Sequence, residues 1–192
     1  MTNVYFVRHA EPDFNIHDDI KRPLTEKGKT DAKLVSMYLR DKEIHEVLSS
    51  PFLRAIDTVK DYADEVGLSI KIIQDFRERR VDSVWIEDFL SFAKKQWEDF
   101  DYKLSDGESL REVQNRNIDA LSEVLCLYEG KKIVIGTHGT ALSTIINYYQ
   151  NTYGYNDFEK MRTLMPWIVK MQFKNNECLN ITKIDILNRG IL

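Results

Sequence analysis

Apolar runs of strand length alternate in this chain with stretches whose apolar residues recur at helical spacing, and the connections between them are short. Val4-Tyr5-Phe6-Val7 and Ile133-Val134-Ile135 contain no polar position. A strand without polar alternation has to be covered on both faces, as in a parallel sheet packed between helices. Residues 44–49 and 69–73 read as two further strands. Helical stripes follow three of the four. Ala32, Val35 and Leu39 mark one, with Thr25 as its N-cap. Ala55, Val59, Tyr62, Ala63 and Val66 mark a second, opened by Pro51 and stopped by Gly67. Ala141, Leu142, Ile145, Ile146 and Tyr149 mark the third. Ser109 and Glu112 form a capping box before a long helix, and residues 84–106 read as a helical insertion. Residues 167–174 and 179–187 read as two strands joined at Asn175-Asn176. The pattern predicts one α/β domain over 1–192, a three-layer αβα sandwich on a mainly parallel sheet with an antiparallel edge strand.

Charge and cysteine content narrow the function. Lys plus Arg is 27 and Asp plus Glu is 31, a formal net charge of −4. That balance disfavours attraction to nucleic acid or to an anionic membrane as the main purpose. The apolar stretches fall short of the roughly 20 residues that span a bilayer. No secretory signal is read at the N-terminus, and Cys126 and Cys178 cannot build a disulfide framework. The expectation is a cytoplasmic protein with two buried, reduced thiols. His17 and His45 are read as structural or surface residues.

In a doubly covered parallel sheet the ligand crevice lies beyond the carboxyl ends of the strands. The first strand runs into Arg8-His9-Ala10-Glu11, the second into Ser49-Ser50-Pro51 with Arg54 a turn later, the third into Phe76-Arg77-Glu78, and the fourth into Thr137-His138-Gly139. Two imidazoles, two guanidinium groups and a carboxylate therefore gather at one edge. Guanidinium forks match phosphate oxygens. A neutral imidazole keeps a lone pair that can attack phosphorus, and a carboxyl group can protonate the leaving oxygen. Backbone N–H groups after Gly139 add anion stabilisation at a helix start. The positive side chains offset the phosphate charge, so the chemistry requires no metal and no cofactor.

These motifs resemble the histidine phosphatase superfamily, also called the phosphoglycerate mutase-like family. Arg8-His9-Ala10-Glu11 with Asn15 is similar to its R-H-G-x-x-x-x-N signature. Pro23-Leu24-Thr25-x-x-Gly28-x-x-x-Ala32, Ser49-Ser50-Pro51-x-x-Arg54-Ala55-x-x-Thr58, Gly107-Glu108-Ser109 and Thr137-His138-Gly139 resemble four further motifs in the family order. The resemblance implies that His9 is the nucleophile that becomes phosphohistidine. It implies that Arg8, Arg54 and His138 surround the phosphoryl group, with Asn15 and the Gly139 N–H adding contacts. Glu78 aligns with the proton donor, and Glu11 and Glu108 are the alternative acids. Three departures stand out. Ala10 replaces a glycine, which requires negative φ there. Pro12 removes a hydroxyl found in many members. The segment Phe76–Val81 lacks the family's glycine after the acid.

The reaction implied is hydrolysis of a small phosphorylated metabolite. The alternatives are intramolecular phosphoryl transfer of the phosphoglycerate mutase type and an inactive phosphate-binding or interaction module. The chain's shortness favours hydrolysis over mutase chemistry. The apolar tail strands suggest a possible homodimer edge. Residues Trp85, Phe89, Phe92, Trp97 and Phe100 read as packing for the insertion, with a lid over the substrate as the other reading.

Overall fold

The computed structural model describes residues 1–83, 86–188 and 190–191. Its strands are β1 (Thr2–Arg8), β2 (Glu46–Ser49), β3 (Ile70–Ile72), β4 (Lys132–Thr137), β5 (Trp167–Lys174), β6 (Glu177–Asp185) and β7 (Gly190–Ile191). They form one sheet in the order β3-β2-β4-β1-β5-β6-β7. β3, β2, β4 and β1 are mutually parallel, and β5, β6 and β7 add an antiparallel side. The antiparallel edge is therefore deeper than one strand. β5 lies inside the sheet, paired with β1 and β6, so its own edges are already used.

Six helices cover the sheet among the described residues: α1 (Glu26–Leu39), α2 (Leu53–Val66), α3 (Phe89–Glu98), α4 (Leu110–Leu127), α5 (Gly139–Tyr149) and α6 (Tyr155–Arg162). Strand alternation divides the core between the two faces. Val4, Phe6, Leu48, Ile133 and Ile135 pack with Leu121, Leu142 and Ile145 of α4 and α5. Tyr5, Val7, Val47 and Val134 pack with Val35 and Leu39 of α1 and Val59 and Tyr62 of α2. These opposite sets are what an unbroken apolar strand demands.

Local signals end the helices where the residues ask. The Thr25 side chain accepts from Gly28 N, Gly67 closes α2 with φ +70°, and both halves of the Ser109–Glu112 capping box are made. Pro51 lies two residues before α2 rather than inside it, because Phe52 is the N-cap and Ser50 Oγ accepts its N–H. One expectation fails. Cys126 is exposed and Cys178 is only partly covered, so the thiols are not both buried. On α4 the buried stripe includes Leu121, Val124 and Leu125, which turns position 126 outward. α6 had no counterpart in the sequence pattern. No described helix is long and apolar enough to cross a membrane.

Candidate active site

Sheet register assembles the site. Arg8 pairs with Thr137 across the parallel β1–β4 ladder, so His9 and His138 leave adjacent strands at the same level. The ladder runs one step further, with His9 N–H donating to the Thr137 carbonyl at 3.0 Å. The two imidazole centroids are 5.3 Å apart, with the rings inclined at 60°. His9 Nδ1 lies 2.7 Å from the Ala10 carbonyl oxygen. A carbonyl only accepts, so the ring proton is on Nδ1 and Nε2 keeps its lone pair. Ser50, just beyond the end of β2, places its hydroxyl 2.6 Å from His138 Nε2. Burial, reinforced by Arg54 and Arg8, holds the His9 pKa well below the ordinary value. Burial and Arg54 do the same to His138. Both rings are neutral at pH 7, and for His9 that is the state a nucleophile needs.

The cations are buried beside them. Arg8 Nη1 donates to three carbonyls at the C-terminal end of α6, those of Met161 (2.7 Å), Arg162 (3.0 Å) and Leu164 (3.0 Å). Burial lowers its pKa to about 10, against the opposing pull of Glu78, which still leaves it charged. Arg54 donates through Nη1 to the Asp19 carbonyl, and its Nη2 is 3.0 Å from Asp19 Oδ1. Arg8 Nε, Arg54 Nε and His138 Nδ1 are buried without a protein partner. A buried donor left unpaired costs about 1–3 kcal/mol. Two such guanidinium donors, with an unpaired ring nitrogen beside them, fit a site built to receive an acceptor. Arg22, which the sequence did not single out, is also buried here and acts on the charge state of both His9 and Arg54.

Glu78 stands at the start of α5. Its Oε2 accepts from Thr140 N at 2.9 Å, and Oε1 accepts from Ala141 N at 3.0 Å and Arg79 N at 2.8 Å. The Gly139 N–H is thus the first-turn donor not spent on Glu78. A Cβ on Gly139 would lie 3.2 Å from Arg8 Nε and 3.3 Å from Arg8 Cζ. Glycine at this position lets the guanidinium reach the helix start.

A sequence profile of the histidine phosphatase superfamily (branch 1) matches residues 4–182. This chain belongs to the histidine phosphatase superfamily. "Probable phosphoglycerate mutase GpmB" of Serratia proteamaculans (strain 568) is 32% identical over 161 residues, covering 77% of this chain and 74% of that protein. Among solved structures, Bacillus stearothermophilus YhfR superposes with a TM-score of 0.76 at 21% identity, over 93% of this chain and 94% of that one. A phosphoserine phosphatase of Entamoeba histolytica in complex with 3-phosphoglyceric acid gives 0.77 at 21% identity, over 97% and 100%. A mycobacterial glucosyl-3-phosphoglycerate phosphatase gives 0.74 at 16%, over 94% and 96%.

Within this member of the superfamily the departures have local structural reasons. Ala10 avoids left-handed backbone, because among the described residues only Glu43 and Asn175 adopt positive φ without being glycine. Pro12 is buried and bridges to Leu24, pinning the loop to the start of α1. Asn15 is not drawn into the site. It is exposed, and its side chain donates to Asp13 Oδ1 at 2.9 Å within its own turn. Glu11 accepts from Thr25 Oγ1 at 2.9 Å, at the cap of α1. Glu108 accepts from Arg116 Nε (2.8 Å), Arg116 Nη2 (3.1 Å) and Arg80 N (2.9 Å). Burial would raise its pKa, but those bonds outweigh burial and hold it below the usual carboxylate range. Glu108 is thereby committed to its arginine.

Proposed function

We propose that this protein is a phosphomonoester hydrolase acting through a phosphohistidine on His9. The reading is carried by one observation. His9 is fixed with Nε2 as its free nucleophilic atom, amid buried donors of Arg8 and Arg54 that have no protein acceptor and beside the unpaired Nδ1 of His138. In the first step Nε2 attacks phosphorus in line, the phosphorus–oxygen ester bond breaks, and Glu78 gives the leaving oxygen a proton. In the second, water attacks phosphorus, Glu78 takes a proton from it, and the nitrogen–phosphorus bond breaks. Arg8, Arg54, His138 and the Gly139 N–H hold the phosphoryl oxygens through both steps. The catalysis is positioning plus electrostatic stabilisation. Glu78 Oε2, with one backbone N–H, is the atom with room for the proton, since Oε1 already accepts two.

The chemistry is metal-independent in this reading, because guanidinium groups take the charge a metal would neutralise. The substrate is a small phosphorylated metabolite. The compartment is the cytoplasm, where an exposed thiol such as Cys126 stays reduced. A mutase reading is favoured by the relatives named GpmB. One assay separates the two. Phosphomonoesters, and phosphoglycerate with its bisphosphate, are supplied with EDTA present and both free phosphate and isomer are followed. Phosphate release is the expected result. Isomerisation without release establishes the mutase, and turnover that survives His9→Ala removes His9 from the mechanism.

A further inference from the structure

The loop between β1 and α1 lays a carboxylate across the site's own cations. Asp19 Oδ1 is 3.0 Å from Arg54 Nη2 and 3.2 Å from Arg22 Nη1. The Asp19 carbonyl accepts from Arg54 Nη1 as well. Both terminal nitrogens of Arg54 are therefore turned to one residue, while its Nε is buried with no partner. The arginine side chains are 3% and 9% exposed, but that of Asp19 is 44% exposed. The anion meets the buried pair from the solvent side.

The loop is shaped for this. Asp18 Oδ1 accepts from Ile20 N and Lys21 N, which turns the chain beside Asp19. The Ile20 carbonyl accepts from Leu53 N at 2.9 Å, tying the loop to the start of α2. Arg22 Nε donates to the Ile16 carbonyl at 2.7 Å, closing the loop on itself.

Asp19 lends one negative charge to two buried guanidinium groups, and the other carboxylate that acts on Arg54, Glu78, is bonded to the start of α5. A phosphoryl dianion balances both guanidinium groups and has more oxygens to share between two forks. We propose that Arg22 and Arg54 form a two-guanidinium anion cradle, that Asp19 is its built-in occupant, and that the dianionic phosphoryl group of the substrate displaces Asp19 on binding. Asp19 thereby determines specificity. A monoanion brings no more charge than Asp19 and is refused, whereas a dianion gains a second charge interaction. The identity of the anion rests on the hydrolase reading; the cradle itself rests on the arginine pair.

The test is calorimetric titration with inorganic phosphate at pH 8 and with dimethyl phosphate, a monoanion, on the wild type, Asp19→Asn and Asp19→Ala. Both variants are expected to bind phosphate about tenfold more tightly. They are also expected to gain measurable affinity for dimethyl phosphate. Weaker phosphate binding in both variants would show that Asp19 positions Arg54 for the ligand, and overturns the proposal; unchanged binding overturns it too. Phosphate binding that tightens in the variants, with no phosphomonoester turned over by the wild type, sustains the cradle and sinks the hydrolase reading instead.

Discussion

Gly139 separates two demands on one residue: it begins a helix, and it lets Arg8 pack against that helix start. In Gly139→Ala the new methyl arrives 3.2 Å from Arg8 Nε and must push the guanidinium aside. Small misplacements of positioning groups cost up to about 10²-fold in rate. A loss of roughly tenfold or more in kcat/KM is expected, with the circular dichroism spectrum unchanged; full activity would mean that Arg8 is not a phosphoryl ligand. For Glu78→Gln, kcat is expected to fall far more for alkyl phosphates than for nitrophenyl phosphate, whose leaving group needs little protonation. Equal losses on both would remove Glu78 from the acid role. At this scale the sequence was readable where motifs recur at strand ends. Arg8, His9 and His138 lie beside one another because the β1–β4 register puts them there, and the β2–β4 pairing brings the start of α2, with Arg54, to the same edge. Arg22, Asp19 and Asn15 were not readable. Their places depend on turns made by Asp13 and Asp18, and nothing in residue order says which side chain of an irregular loop faces inward.

The amide of Gln96 ties α3 to the site. Gln96 is fully buried; its Oε1 accepts from Arg79 Nη1, and its Nε2 donates to the carbonyls of Tyr102 and Glu108, each at 2.9 Å. The Arg79 guanidinium also lies 5.3 Å and 5.1 Å from the ring centroids of Phe89 and Phe92. Arg79 in turn donates its backbone N–H to Glu78. Truncating Gln96 leaves a buried cation and two carbonyls short of partners. A destabilisation of about 3 kcal/mol or more is expected for Gln96→Ala, read as a lower urea midpoint. A change under 1 kcal/mol would show that water replaces the amide. The amphipathic pattern revealed the long helices because their buried stripes repeat. It missed α6, which is eight residues long and buries only Phe158 and Met161, too few to establish a period. Yet the C-terminal end of α6 supplies the carbonyls that hold Arg8.

Holding two neutral imidazoles against buried arginines gives the whole molecule a pH signature. Burial, then Arg54, lowers the pKa of both His9 and His138 in the folded state. In the unfolded chain each ring titrates near 6.5. Below that pH the unfolded state takes up protons that the native state refuses, so unfolding becomes easier. The stability is complete above pH 6.5 and is lost as pH falls towards the lower folded values, by up to about 1.4 kcal/mol per pH unit for each ring. Urea midpoints are expected to fall between pH 7.5 and 5.5, and to fall less in a variant carrying His9→Asn and His138→Asn. A flat profile in the wild type would contradict the buried, neutral pair. The sheet was legible as an α/β architecture from its apolar runs, but strand order was not. Nothing in the local pattern says that β5 and not β2 lies beside β1.

That placement has a consequence during synthesis. β1 leaves the ribosome well before both of its neighbours, which are encoded far downstream, at 132–137 and 167–174. At about 5–20 residues per second, its apolar edges wait on the order of ten seconds or more for partners. A nascent chain must be shielded over that interval, and its two site histidines meet only once β4 has been made.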